Sequence, residues 1–148
     1  MAGARSVLLG AMRYRALASP AFIGRHFPEG VRAELLSRTP ALVFGPDDFL
    51  QHRYLASLGV DGGFEHHLCP SSEGFIRLTE AGLGWGLVPE LQVREQLQRG
   101  ELRELLPDKP IDVPLYWHHW RNGGQLLGLL TEQLVRASAQ WLVPWKQL

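Results

Sequence analysis

Short apolar runs alternate with helical patterns along most of the chain, the arrangement of a sheet with crossover helices. Val7–Leu9 and Arg13–Ala18 read as short strands. Ser19 is placed to cap a helix with Pro20 in its first turn, where the missing N–H costs nothing, and that helix ends near Phe27. Val31–Ser37 reads as a short helix, Ala41–Phe44 as a compact buried strand and Phe49–Leu58 as the next helix. Gly62 and Gly63 break the chain before a strand over Phe64–Cys69. Ser71, Ser72 and Glu73 then open a helix that stops at Gly82. Trp85–Val88 is a strand, Glu90–Arg99 a helix closed by Gly100, and Leu102–Leu106 a short extended piece. Val113–Trp120 is a longer strand. Leu127, Leu130, Leu134, Ala137 and Trp141 then form one stripe of an amphipathic helix over Gln125–Leu142.

This order predicts an α/β fold with a sheet of about five strands, a lobe-sized unit. The last helix has no strand after it and looks like part of something else. In open parallel sheets, ligands bind beyond the carboxyl ends of the strands, where helix starts offer free amides. Two such ends carry polar, flexible sequence. Ala41–Phe44 leads into Gly45-Pro46-Asp47-Asp48, and Phe64–Cys69 leads into Pro70-Ser71-Ser72-Glu73. Together they are suited to a zwitterion, with its carboxylate at the Ser71/Ser72 helix start and its ammonium near Asp47 or Asp48. The competing reading is that both segments are ordinary helix caps.

Sharper motifs fail. Gly82-Leu83-Gly84-Trp85-Gly86 lacks the spacing of a dinucleotide loop and precedes a strand, no phosphate-binding P-loop exists, and Pro70 occupies the first glycine place of a nucleophile elbow around Ser72. His66-His67 with Cys69, and His118-His119, invite a metal reading. Adjacent strand residues point to opposite faces, so each pair offers one ligand per site, and the polar-strand reading is preferred. Trp85, Tyr116, Trp117 and Trp120 read as core and interlobe packing. No catalytic residue, metal or cofactor is expected.

Composition narrows the class. Fifteen basic residues balance fifteen acidic ones across 148 residues, which argues against non-specific attraction to phosphate backbones. One cysteine, Cys69, allows no internal disulfide and suits a reducing compartment. Charged residues or proline interrupt every apolar run, so no membrane span is expected, and the chain is expected to be soluble and cytoplasmic.

Against this background, Tyr14-Arg15-Ala16-Leu17-Ala18-Ser19-Pro20-Ala21-Phe22 resembles the segment of LysR-type transcription regulators that enters the second lobe of their effector domain. Ser71-Ser72-Glu73-Gly74-Phe75, then Ala81-Gly82-Leu83-Gly84-Trp85-Gly86-Leu87-Val88-Pro89, resembles that family's helix-turn-strand before a proline-started helix. Leu115-Tyr116-Trp117-His118 is similar to its return strand. Ser-Ser-Glu, Phe27-Pro-x-Gly30 and Leu-Tyr-Trp-His are shared with the ArgP subfamily, also called the chromosome initiation inhibitor IciA.

The resemblance covers about residues 7–142. It implies a type 2 periplasmic-binding-protein-like effector lobe with a mixed, mostly parallel sheet, plus a fragment of the other lobe. Residues 1–11 would be a first-lobe remnant and crossover, 12–114 the second lobe, and 115–148 the return strand and C-terminal helix of the first. The strand Arg13–Ala18 would run antiparallel to the others, and the cleft would lie at the Asp47 and Ser71 ends. The implied effector is a basic amino acid, lysine or arginine. The winged helix-turn-helix and most of the first lobe have no counterpart, so the expectation is a truncated, ligand-sensing, non-enzymatic chain that binds no DNA itself. The alternatives are an interaction module with no small ligand and a small α/β hydrolase. Exposure of the C-terminal stripe would favour self-association, a homodimer or larger assembly formed by exchange of that segment.

Overall fold

The computed structural model describes residues 3–146. These form two compact units, a larger one of residues 14–111 and a smaller one of residues 3–13 with 112–146.

The larger unit is an α/β layer. Its strands are the end of β1 (Ala4–Ala18), then β2 (Ala41–Val43), β3 (His66–Leu68), β4 (Gly86–Pro89) and β5 (Arg103–Glu104). Parallel pairing joins β3 to β2, and a bridge between Ala41 and Trp85 carries β2 on to β4, also in parallel. β1 then pairs antiparallel with β4, from Tyr14 opposite Pro89 to Leu17 opposite Gly86, and with β5 on its other edge. The order is β3-β2-β4-β1-β5, five strands as the alternation implies, with only β1 reversed as the resemblance implies.

Period-two alternation sends side chains of β1 to opposite faces. Ala16 and Ala18 join Phe22 of α1 (Pro20–His26), Leu36 of α2 (Ala33–Leu36), Tyr54 and Leu55 of α3 (Leu50–Ser57), and Trp85. Leu17 joins Leu42, Phe75 of α4 (Ser72–Glu80), Val88, Val93 and Leu102 on the other face. Each fully buried large apolar side chain contributes about 1.5–3 kcal/mol. Trp85 is wholly buried, and its indole N–H donates to the Leu36 carbonyl at 3.1 Å, so its polar atom is satisfied.

Several elements differ from the sequence reading. The helix expected over Glu90–Arg99 is a 3-10 turn, Glu90–Gln92, followed by α5 (Arg94–Arg99). The break is at Val93, drawn fully into the core with φ −130° and ψ 21°, outside the helical range. Gly100 closes α5 in the left-handed conformation (φ 71°), as expected. Val7–Leu9 and Arg13–Ala18 are one strand, β1, running through Gly10. Gly10 has φ 132°, and a Cβ there would lie 2.9 Å from that of Leu142, so glycine alone passes this point unstrained.

In the smaller unit, β1 pairs with β6 (Ile111–Trp120). Arg13 binds Asp112 through two hydrogen bonds of 2.9 Å, and Ser6 meets His118 at 2.7 Å, so the strands run antiparallel. Ala11 and Val143 exchange backbone hydrogen bonds on the other edge of β1. α6 (Gly124–Trp141) is tied to β6 by the Trp117 indole N–H, which donates to the Thr131 hydroxyl at 3.0 Å. Only Leu127 and Leu134 of the expected stripe turn inward, alternating with Thr131 and Ser138. Both hydroxyls donate to carbonyls one turn back, to Leu127 and Leu134, which makes polar groups tolerable on the inner face. Leu130 and Trp141 are exposed, and so are Tyr116 and Trp120, which were expected to be packed.

Candidate functional site

The carboxyl ends of β2, β3 and β4 and the start of the antiparallel part of β1 surround one cavity of about 360 Å³ in the larger unit. That size lies at the lower end of the roughly 300–1,000 Å³ of small-molecule sites. Its polar lining is Asp48 after β2, Ser72 at the start of α4, Gln92 after β4 and Tyr14 on β1. The remaining wall is apolar and includes Phe44, Phe75, Leu87 and Val88.

Asp48 is fixed by the backbone around it. One carboxylate oxygen accepts from the Leu50 amide at α3, the other from the Phe44 amide, both at 3.1 Å. A carboxylate has about four acceptor positions, so two amides leave it able to meet a ligand donor. Asp48 is the single charged side chain in the lining. Tyr14 is half-buried, and its phenol is pushed above the usual tyrosine range, first by burial and then by the negative charge of Asp48. It therefore stays neutral with its proton in place at physiological pH.

The start of α4 divides its work between two serines. The Ser71 hydroxyl accepts from the Gly74 amide at 3.1 Å and is the N-cap. Ser72 lines the cavity, and its hydroxyl has no protein hydrogen bond among the described residues. The first amides of a helix have no internal partner, and the dipole there favours an anion. The turn after β4 is held from below. Arg15 binds Glu90 at 2.8 Å and Glu104 at 2.5 Å, anchoring the residue that starts the Gln92 turn. Burial by itself would lower the Arg15 pKa, but the bonds and charges of the two carboxylates raise it.

Of the residues singled out from sequence, Asp48 and Ser72 face the same cavity. Ser71 spends its hydroxyl on the cap, and the Glu73 carboxylate is paired with Arg77 at 2.7 Å on the outer surface of α4. Gly45 closes the turn by accepting from the Asp48 amide at 3.1 Å, and Asp47 is exposed outside the cavity lining. Tyr14 and Gln92 were missed. The carboxyl-end rule points to loops after parallel strands, whereas Tyr14 lies within β1, at the start of the segment that pairs antiparallel with β4. Among the described residues, no three His, Cys, Asp or Glu side chains gather as metal ligands.

Known proteins align with this chain over nearly its full length. A family model described as the LysR substrate binding domain matches residues 1–142. The HTH-type transcriptional regulator ArgP of Pseudomonas fluorescens (strain Pf0-1) is 94% identical over 144 residues, covering 97% of this chain and 48% of that protein. The lysine export transcriptional regulatory protein LysG of Corynebacterium glutamicum is 40% identical over 147 residues, covering 97% of this chain and 49% of that one. A full-length structure of LysG from that organism with bound effector Arg superposes with a TM-score of 0.83 at 39% identity, over 97% of this chain and 49% of the other. The chain thus spans about half the length of the curated relatives it matches.

Proposed function

The chain belongs to the LysR substrate-binding domain family, and from that premise we propose that its larger unit senses a basic amino acid, arginine or lysine, for a transcription regulator of the ArgP type. The observation that carries this is the cavity's charge pattern. One anchored carboxylate, Asp48, stands in a lining with no cationic side chain, while Ser72 and the first amides of α4 supply the complement for an anion. A zwitterion with net positive charge satisfies both ends. A relative's structure holding arginine as effector, and names built on lysine export and on ArgP, support the same chemistry. These relatives are transcription regulators and not enzymes.

Residues 12–114 are assigned to the effector domain's second lobe, and 1–11 with 115–148 to part of the first. DNA contact is assigned to sequence outside this chain, whose charges balance. The regulator is placed in the cytoplasm. No helix among the described residues is long and apolar enough to cross a membrane. Isothermal titration with arginine and lysine tests the reading. Saturable heat with either supports it, and none with both, while the protein is folded by circular dichroism, refutes it.

The smaller unit favours self-association as a second role. Leu126, Leu129, Leu130 and Trp141 on α6 are each more than half exposed, an apolar surface that water disfavours. A second copy of the chain is the proposed partner, and light scattering at micromolar concentration reads the outcome.

A further inference from the structure

Gln92 reaches the cavity from a turn that is pinned on both sides. Before it stands Glu90, whose carboxylate accepts from the Arg15 guanidinium at 2.8 Å. After it stands Val93, wholly buried in the cluster around Leu17 and Val88. The Val93 amide donates back to the Glu90 carbonyl at 3.2 Å, which closes the turn around Gln92. The Gln92 side-chain amide itself makes no hydrogen bond among the described residues, so its donors and its acceptor are available to a ligand.

Arg15 is outside the cavity lining, yet the sheet places it where it can hold this turn. On β1 it lies opposite Val88, and Tyr14 beside it lies opposite Pro89, the last residue of β4. Its Nε donates to Glu90, while its Nη1 donates to Glu104 on β5, along the other edge of β1. Both carboxylates are largely withdrawn from water, Glu104 at 18% exposure and Glu90 at 36%. Desolvation offsets much of the attraction in such pairs, so the short bonds fix position more than they add stability. The two carboxylates differ in what they fix. Glu104 sits on β5, outside the cavity lining, whereas Glu90 opens the turn that ends in Gln92.

We propose that Gln92 is an effector-binding residue and that Arg15, acting through Glu90, is the positioning residue that holds it in place. This rests on the amino-acid-sensing reading above. An amide both donates and accepts, so Gln92 is able to meet the carboxylate or the ammonium of a zwitterion without a charge of its own. Immobilising a flexible side chain on binding loses entropy, and a turn already fixed at Glu90 and Val93 leaves less to lose.

A double-mutant cycle tests this by isothermal titration with whichever of arginine and lysine binds more tightly, with Tm measured on each variant. Gln92→Ala is expected to weaken that ligand by about tenfold, the loss of one hydrogen bond to a charged group. Glu90→Ala is expected to weaken it by about threefold or more while Gln92 is present, and no further in the Gln92→Ala background. Glu90→Gln keeps an acceptor for Arg15 and is expected to recover part of the loss. Glu104→Ala removes the more buried partner. It is expected to lower Tm at least as far as Glu90→Ala does and to leave affinity within about twofold. Additive losses at Glu90 and Gln92, or an equal fall in affinity with Glu104→Ala, would show a general effect on the fold and overturn the proposal. Unchanged binding by Gln92→Ala would overturn it as well. If the unsubstituted protein binds neither arginine nor lysine, the functional reading fails first and this proposal with it.

Discussion

Replacing Ser71 and Ser72 separately by alanine should split stability from binding, although the two residues are adjacent and chemically identical. Ser71→Ala removes the only side-chain cap of α4, the 3.1 Å acceptor for the Gly74 amide. Loss of a serine N-cap costs about 1 kcal/mol, within a range of roughly 0.5–2. For a chain near 150 residues that corresponds to a fall in Tm of about 2–4 °C. Ser72→Ala removes an exposed hydroxyl with no hydrogen-bond partner among the described residues, so its effect on stability should stay within about 0.5 kcal/mol. Its effect on ligand binding should be the larger one. A hydrogen bond to a charged group contributes about 1.5–3 kcal/mol, or roughly tenfold to a hundredfold in Kd. Differential scanning calorimetry and isothermal titration of both variants with arginine give the four numbers needed. A variant pair in which Ser71→Ala lowers affinity at unchanged Tm, or Ser72→Ala lowers Tm at unchanged affinity, would refute the division of labour.

Gly86→Ala should destabilise the fold by about 1–3 kcal/mol, because its Cβ would lie 2.5 and 2.8 Å from the buried Phe75 ring; the urea midpoint reads this directly. Burial first, then the charge of Glu104, pushes the Tyr54 phenol up to about 12. The folded state therefore holds that proton more tightly, so its stabilisation is complete below about pH 10 and is lost as pH rises towards 12. Tyr54→Phe should flatten that loss in urea titrations at alkaline pH. It should cost little at neutral pH, since the buried hydroxyl has no hydrogen-bond partner among the described residues. Leu129→Glu with Leu130→Glu should shift light scattering towards monomer, and an unchanged assembly would remove α6 from the contact.

Much of the architecture was legible because local chemistry and global fold agree. Ser19 caps α1, accepting from the Phe22 amide at 3.2 Å with Pro20 following, and the apolar segments 41–44 and 85–88 do become central strands. The errors share one cause. Periodicity records how apolar a position is, not whether a polar group has found a partner or a neighbour has displaced the backbone. Thr131 and Ser138 replaced Leu130 and Ala137 on the inner face of α6 because their hydroxyls are satisfied within the helix. Val93 ended a helix that propensity would have continued.

The sequence by itself determined the α/β alternation, the caps, and the two polar turns at the carboxyl ends of β2 and β3, since each depends on residues close along the chain. Only the tertiary structure decided which of those polar groups share a space. Asp48 faces the cavity because the Phe44 and Leu50 amides aim it, while Glu73 is drawn outward to Arg77 one helical turn away. Tyr14 reaches the same cavity because β1 runs against its neighbours, which brings the start of its paired segment beside Pro89 at the end of β4. Strand direction is a property of the assembled sheet, fixed by hydrogen bonds between segments roughly seventy residues apart, and no window of local sequence contains it.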